Sequence, residues 1–181
     1  NKNGLSYADK MTDLIQGWRK EFRNDHLAFH FVQIAPWSGE RYEPGQLPAL
    51  WEAQVATLKI PHTGMAVTTD LVDNIADIHP RNKLDVGNRL ALWALAGTYG
   101  RRGMTYSGPL YESLKIDGST ARLTFAHADG MNSRDGNPLT EFQIAGESGE
   151  FVDATAEIDG NVIVVSAESV ATPTQVRFGW H

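Results

Sequence analysis

Asp70, Asp73, Asn74, Asp77 and His79 crowd one short polar stretch, between an apolar run that ends near Thr69 and a helical pattern that begins near Asn82. An imidazole can take and return a proton at neutral pH, which suits it to general acid–base work. A carboxylate two or three residues away can fix its tautomer and stabilise the imidazolium, the third role in a nucleophile–base–acid triad. The same spacing also suits a plainer role, in which Asp77 and His79 cap the following helix and face solvent. An Asp-x-His triplet does not choose between these.

The elements around this stretch must position it. Ser6 reads as an N-cap with Asp9 in the first helical turn, where a carboxylate favours the positive end of the helix. Met11, Leu14, Ile15, Trp18 and Phe22 then recur at three- and four-residue spacing, with Lys10, Arg19, Lys20 and Glu21 as the expected solvated side. The run from Leu27 to Ala35 is short, apolar and rich in aromatic and β-branched residues, as suits a strand covered on both faces. Pro36 ends it, a loop follows, and a helix is expected over 48–58 with Pro48 in its first turn. A second buried strand is expected over 64–69. After the polar stretch comes a helix over 82–99, with Leu84, Gly87, Ala91, Ala94 and Leu95 as its apolar stripe. The order helix, strand, helix, strand, helix implies a parallel sheet with packed helices. Ligands in such sheets bind beyond the carboxyl ends of the strands, where the polar stretch falls. Two strands are too few to stand well alone, so this sheet is expected to be part of a larger one and to expose an apolar edge and face.

From about Tyr106 the pattern changes to short strand candidates: 113–116, 121–126, 142–145, 154–158, 162–165 and 175–178. Asp117-Gly118 and Asp159-Gly160 read as hairpin turns between them. The expected organisation is an α/β domain over 1–104 and a small antiparallel β-sandwich module over 105–181, joined between Gly100 and Gly108.

Composition narrows the function. The chain has 181 residues and a formal net charge of −6, with no clustered basic face, so nucleic acid is a poor partner. There is no cysteine, which excludes disulfides, thiolate metal sites and cysteine nucleophiles. No apolar run reaches the ~20 residues of a membrane span. The chain opens Asn1-Lys2-Asn3-Gly4, with no methionine and no visible signal peptide, and is expected to be a fragment.

Several segments, in order along almost the whole chain, sharpen these expectations. They are Leu47-Pro48-Ala49-Leu50-Trp51-Glu52-Ala53-Gln54, Ile60-Pro61-His62-Thr63-Gly64-Met65-Ala66-Val67-Thr68, and Asp77-Ile78-His79-Pro80-Arg81-Asn82-Lys83 followed by Val86-Gly87-Asn88-Arg89-Leu90-Ala91. Tyr106-Ser107-Gly108-Pro109 and Val176-Arg177-Phe178-Gly179-Trp180 continue the series. Together they resemble the C-terminal half of sialate O-acetylesterases, a family of the SGNH-hydrolase superfamily. The resemblance implies a partial three-layer α/β sandwich followed by the β module. It also implies a serine esterase that removes acetyl groups from sugar hydroxyls, with His79 as base and no metal or organic cofactor. The partners it implies are an O-acetylated sugar or polysaccharide and the missing N-terminal segment of the same enzyme, in a periplasmic or secreted setting. The family's Gly-Gln-Ser-Asn nucleophile block has no counterpart here, so the serine is expected in that missing segment. Asn1 is the candidate remnant of the oxyanion-hole block. The usual Asp-x-x-His spacing would put a carboxylate at Ala76; Asp77 is the nearest one, and Asp73 or a main-chain carbonyl remains an alternative for orienting His79. A non-catalytic carbohydrate-binding or structural fragment is the rival reading.

The remaining candidates have structural readings. His30 falls inside the first strand run and reads as a hydrogen-bonded core or edge residue; His26, His62, His127 and His181 read as isolated surface residues, with no second ligand at zinc-like spacing. Ser107 lacks a strand-to-helix elbow and reads as a turn residue. Trp37, Trp51 and Trp180 are candidates to stack on sugars, whereas Trp18 and Trp93 read as core.

Overall fold

The computed structural model describes residues 4–39, 43 and 45–180. The chain divides into two compact units, the first reaching to Tyr106 and the second running from Ser107 to Trp180.

The first unit opens with a 3₁₀ turn, Gly4–Ser6, that leads into helix α1, Tyr7–Phe22, with Ser6 at the N-cap position. The apolar stripe of α1 does not all face inward. Met11, Ile15 and Arg19 form the buried row, whereas Leu14, Trp18 and Phe22 are exposed. Arg19 was expected in solvent and Trp18 in the core; both expectations fail for one reason. The row at i, i+4, i+8 turns inward, and Arg19 is accommodated there because its guanidinium finds two backbone acceptors. Its Nε donates to the Leu27 carbonyl at 3.1 Å and its Nη2 to the Pro61 carbonyl at 2.6 Å. These carbonyls lie in the turns that enter the two strands.

Strands β1, Phe29–Val32, and β2, Thr63–Ala66, pair in parallel from Phe29 opposite Thr63 to Val32 opposite Ala66. Both are shorter than expected: β1 lies inside the 27–35 run, and β2 begins one residue before the expected 64–69 strand and ends three residues earlier. The backbone of Phe29 and Gln33 bonds to His62 and Ala66 across the pair, so the amide and carbonyl groups of His30, Val32 and Ile34 face the opposite edge. Helix α2, Gln46–Thr57, covers part of that edge. The Gln54 side-chain amide accepts from Ile34 N at 3.0 Å and donates to the Val32 carbonyl at 3.2 Å, standing in for a neighbouring strand.

Helix α3, Lys83–Trp93, packs on β1 and β2 and continues into a single π-turn, Ala94–Thr98. Gly64 is where helix and sheet come closest: a Cβ there would lie 2.7 Å from the Trp93 ring and 2.9 Å from the His30 ring. The expected buried stripe of α3 is not realised, since no residue of the helix is fully buried and Leu84 is 75% exposed.

The second unit contains only strands as regular elements among the described residues. β3 (Leu110–Asp117), β4 (Thr120–Ala126), β8 (Val162–Ser166) and β7 (Thr155–Asp159) form one antiparallel sheet, in the order β3-β4-β8-β7. β6 (Val152–Asp153), β5 (Phe142–Ala145) and β9 (Gln175–Phe178) form the other. Inward residues of both sheets, among them Leu123, Ile163 and Val165 from the first and Phe142 and Ile144 from the second, make one continuous core. The two Asp-Gly hairpins turn at Gly118 and Gly160, both at positive φ, where a residue without Cβ is unstrained.

Candidate active site

The chain leaves β2 at its carboxyl end and is tied down within a few residues. Thr68 Oγ1 donates to the Gln33 carbonyl at 3.0 Å, so the exits of both strands are linked. A 3₁₀ turn, Thr69–Leu71, follows. Asp70 receives both amino groups of Arg89, Nη1 on Oδ1 and Nη2 on Oδ2, each at 2.6 Å, and Arg89 Nη1 also donates to the Val67 carbonyl at 2.7 Å. A bidentate guanidinium–carboxylate pair fixes orientation as well as distance. It thus holds the middle of α3 against the strand exit. The hydrogen bonds that Arg89 donates to Asp70, together with the charge of that carboxylate, raise the guanidinium pKa above its ordinary value.

The rest of the loop is built from its own polar side chains. Asn74 Oδ1 accepts from Ala76 N at 3.0 Å, and Asp77 N donates to the Asn74 carbonyl at 3.1 Å. Ser38, in the loop after β1, donates its backbone N–H to the Ile75 carbonyl at 2.8 Å, which joins the two strand-exit loops. Asp77 Oδ1 then accepts from His79 N at 2.9 Å, a local turn typical of aspartate. The same oxygen lies 3.6 Å from His79 Nδ1. Three residues after His79, Asn82 caps α3: its Oδ1 accepts from Asp85 N at 3.1 Å and its Nδ2 donates to Asp85 Oδ2 at 2.8 Å.

The imidazole of His79 is 86% exposed and Asp77 is 42% exposed. The base candidate therefore stands open at the end of the sheet with a carboxylate beside it. Among the described residues, Asp77 is the carboxylate within 4 Å of that ring. Asn1 lies outside the described residues, as does His181.

Residues outside the loop sort differently from their sequence readings. His26 and His62 are not isolated: His26 Nδ1 and His62 Nε2 are 2.9 Å apart, with the rings edge to face. His30 is half-buried, and burial pushes its imidazole pKa down. Ser107 donates its hydroxyl to the Gly108 carbonyl, a turn contact. Trp51 donates to the Ile34 carbonyl at 2.7 Å, and Trp180 lies near Arg177, whose guanidinium stacks on Phe151. The pairing of Asp70 with Arg89 was missed by sequence reasoning, because no local pattern links residues 19 apart. The Asn82-x-x-Asp85 spacing is a capping signal legible in the sequence.

No family model matches the chain. Sialate O-acetylesterases do: the mouse protein is 30% identical over 137 residues, 67% of this chain, and the rat protein 33% over 132 residues, 64% of this chain. A crystal structure of a carbohydrate acetylesterase from Xanthomonas citri superposes on 98% of this chain with a TM-score of 0.93 and 37% identity. The chain belongs to the sialate O-acetylesterase family. It spans about a quarter of the length of the curated relatives it matches, 25% of the mouse and 24% of the rat protein, and 41% of the Xanthomonas chain. The mixed architecture, with a parallel pair followed by antiparallel sheets, is close to that of the Xanthomonas acetylesterase. Among the described residues no helix is long and apolar enough to cross a membrane.

Proposed function

We propose that this chain is the histidine-bearing part of a carbohydrate O-acetylesterase of SGNH type, acting on acetyl esters of sugars outside the cytoplasm. The observation that carries the reading is the Asp77–His79 arrangement at the carboxyl end of β2, within a chain whose full length is similar to a carbohydrate acetylesterase. In this reading the nucleophilic serine and the main oxyanion donors come from a segment N-terminal to the part seen here. His79 takes the serine proton as the hydroxyl oxygen attacks the acetyl carbonyl. The tetrahedral intermediate collapses, the C–O bond to the sugar breaks, and the imidazolium returns the proton to the departing sugar oxygen. Water, activated by the same imidazole, then splits the acetyl-enzyme and releases acetate. Asp77 holds the ring and stabilises its charged form; the 3.6 Å separation tightens to a hydrogen bond when the ring rotates into line.

The test is made in the complete enzyme. His79→Ala is expected to lower kcat for an acetylated sugar by about 10³-fold or more with KM little changed. Asp77→Asn is expected to cost less. Near-normal turnover by a correctly folded His79→Ala enzyme overturns the assignment. Hydrolysis of p-nitrophenyl acetate by the 181-residue chain alone, abolished by substitution of one of its own serines, overturns the external origin of the nucleophile.

A further inference from the structure

The first unit holds a cavity of about 860 Å³ at the opposite end of the parallel strands from His79. It is lined by the turns that enter β1 and β2, through His26, His30 and His62, and by the segment after α3, through Trp93, Arg101 and Arg102. The protein carries 22 acidic against 16 basic side chains, yet among the described residues no carboxylate lines this cavity. Asp25, the acidic residue next to His26, is not among the lining residues. Among the described residues neither Arg101 nor Arg102 has a carboxylate partner, whereas Arg89 and Arg122 each face an aspartate.

The histidines add to this bias. The 2.9 Å contact between His26 Nδ1 and His62 Nε2 needs one N–H and one lone pair, which leaves the outer nitrogen of each ring for a ligand. His62 holds a φ of 61°, a left-handed conformation that is costly for a residue with a Cβ. The turn around it is fixed from behind by Arg19, which binds the carbonyls of Pro61 and Leu27. Trp93 and Tyr106, edge to face at 4.9 Å, form an aromatic wall. Among the described residues no three His, Asp or Glu side chains converge on a metal-sized point.

We propose that this cavity is a second ligand site, distinct from the His79 loop, that binds a sugar bearing a carboxylate or a phosphate. Arg101 and Arg102 hold the anion through charge-assisted hydrogen bonds, the His26–His62 pair adds a donor, and the ring lies against Trp93. The site does not depend on the esterase reading, because none of its residues belongs to the proposed catalytic loop.

Calorimetric titration of the 181-residue chain at about pH 6 and low salt tests this with four probes: glucuronate, glucose 6-phosphate, glucose and inorganic phosphate. The carboxylate and phosphate sugars separate the two possible anions, and binding of either one supports the site. Glucose is expected not to bind. Binding of neither sugar anion overturns the proposal, as does glucose binding equally well. Inorganic phosphate binding as tightly as glucose 6-phosphate also overturns it, since the aromatic wall then contributes nothing. The double variant R101Q/R102Q should weaken binding by roughly tenfold or more, whereas R122Q in the second unit should leave it unchanged. Full affinity in R101Q/R102Q with an unaltered circular dichroism spectrum refutes the site. If that variant fails to fold, the wild-type chain still decides: affinity must fall as salt is raised to about 0.5 M, and constancy refutes it.

Discussion

The two units of this chain bury their apolar side chains to different degrees. In the β unit, residues from both sheets meet in one core in which Ala121, Ile144 and Val165 are fully buried. In the α/β unit the fully buried side chains are scattered over α1, α2 and β2, and α3 contributes none. Of the large apolar side chains left exposed among the described residues, Leu5, Leu14, Trp18, Phe22, Val32, Ile34, Val55, Ile75, Ile78, Leu84 and Tyr99 lie in the first unit, against Tyr111, Ile116 and Phe178 in the second. A sandwich closes on itself once two sheets face each other. In the first unit β2 is largely buried, and most of the exposed apolar side chains sit on its helices and loops, with Val32 and Ile34 in the β1 run. In the reading proposed above, this apolar surface is where the N-terminal segment of the enzyme packs.

Two isoleucines with no exposed surface offer the strongest way to break this comparison. Ile144→Ala, in the sandwich core, is expected to cost about 3–4 kcal/mol, because its neighbours come from two sheets and cannot collapse onto the void. Ile15→Ala, in α1, is expected to cost about 2 kcal/mol, since the looser unit relaxes around it. Urea unfolding followed by residue-resolved hydrogen exchange measures each unit separately, and equal losses would contradict the contrast. Next in size is Arg19→Met. It keeps the length of the side chain but leaves the carbonyls of Leu27 and Pro61 without their donor, at a cost of roughly 1–3 kcal/mol confined to the first unit. Protection lost equally in the β unit would show that the guanidinium does more than join the strand-entry turns.

A smaller effect is expected on the exposed stripe of α1. Trp18→Gln should change stability by within about 0.5 kcal/mol, yet reduce self-association in sedimentation velocity, because the ring stacked on Phe22 at 5.6 Å is open to solvent. A large loss of stability would mean that the stripe is already covered. The smallest effect lies in the β unit. Hydrogen bonds from the Asn137 side chain, the Ser133 hydroxyl and the Asn137 backbone hold the Asp135 pKa at about 2, below its ordinary 3.8. A depressed carboxylate stabilises the fold above its unfolded pKa and loses that contribution as pH falls through the folded value. The loop should therefore keep its order down to about pH 3, with the carboxyl carbon resonance of Asp135 titrating near 2. A midpoint near 3.8 would refute the hydrogen-bonded loop.

The β unit was the more legible of the two. Phe142–Ala145 and Gln175–Phe178 match their expected bounds, and the Asp-Gly turns fall at the hairpins. Local alternation and turn chemistry locate the strands there, although β4 pairs with β8 and β5 with β9 across long stretches of sequence. Only the two-residue β6 escaped, too short to carry a pattern. In the α/β unit, periodicity located α1 but not its inward side, because Arg19 is buried by acceptors that lie in distant turns. The apolar run over 27–35 exceeded the strand it contains, since a ladder extends only as far as a partner does. At the candidate site, the spacing of Asp77 and His79 left a capping role and a catalytic one open, and the family resemblance singled them out. The pairs that hold that loop and the opposite cavity, Asp70 with Arg89 and His26 with His62, join residues far apart in sequence and left no local trace.

The hydrogen bond from His79 N to Asp77 Oδ1 closes a small ring within the chain itself. A displacement that keeps this hydrogen bond moves the carboxylate and the histidine backbone together. The torsions left to change the distance between acid and imidazole are those of the His79 side chain. In the reading proposed above, the alignment of His79 with Asp77 then costs mainly the entropy of the histidine side-chain torsions rather than that of a whole segment.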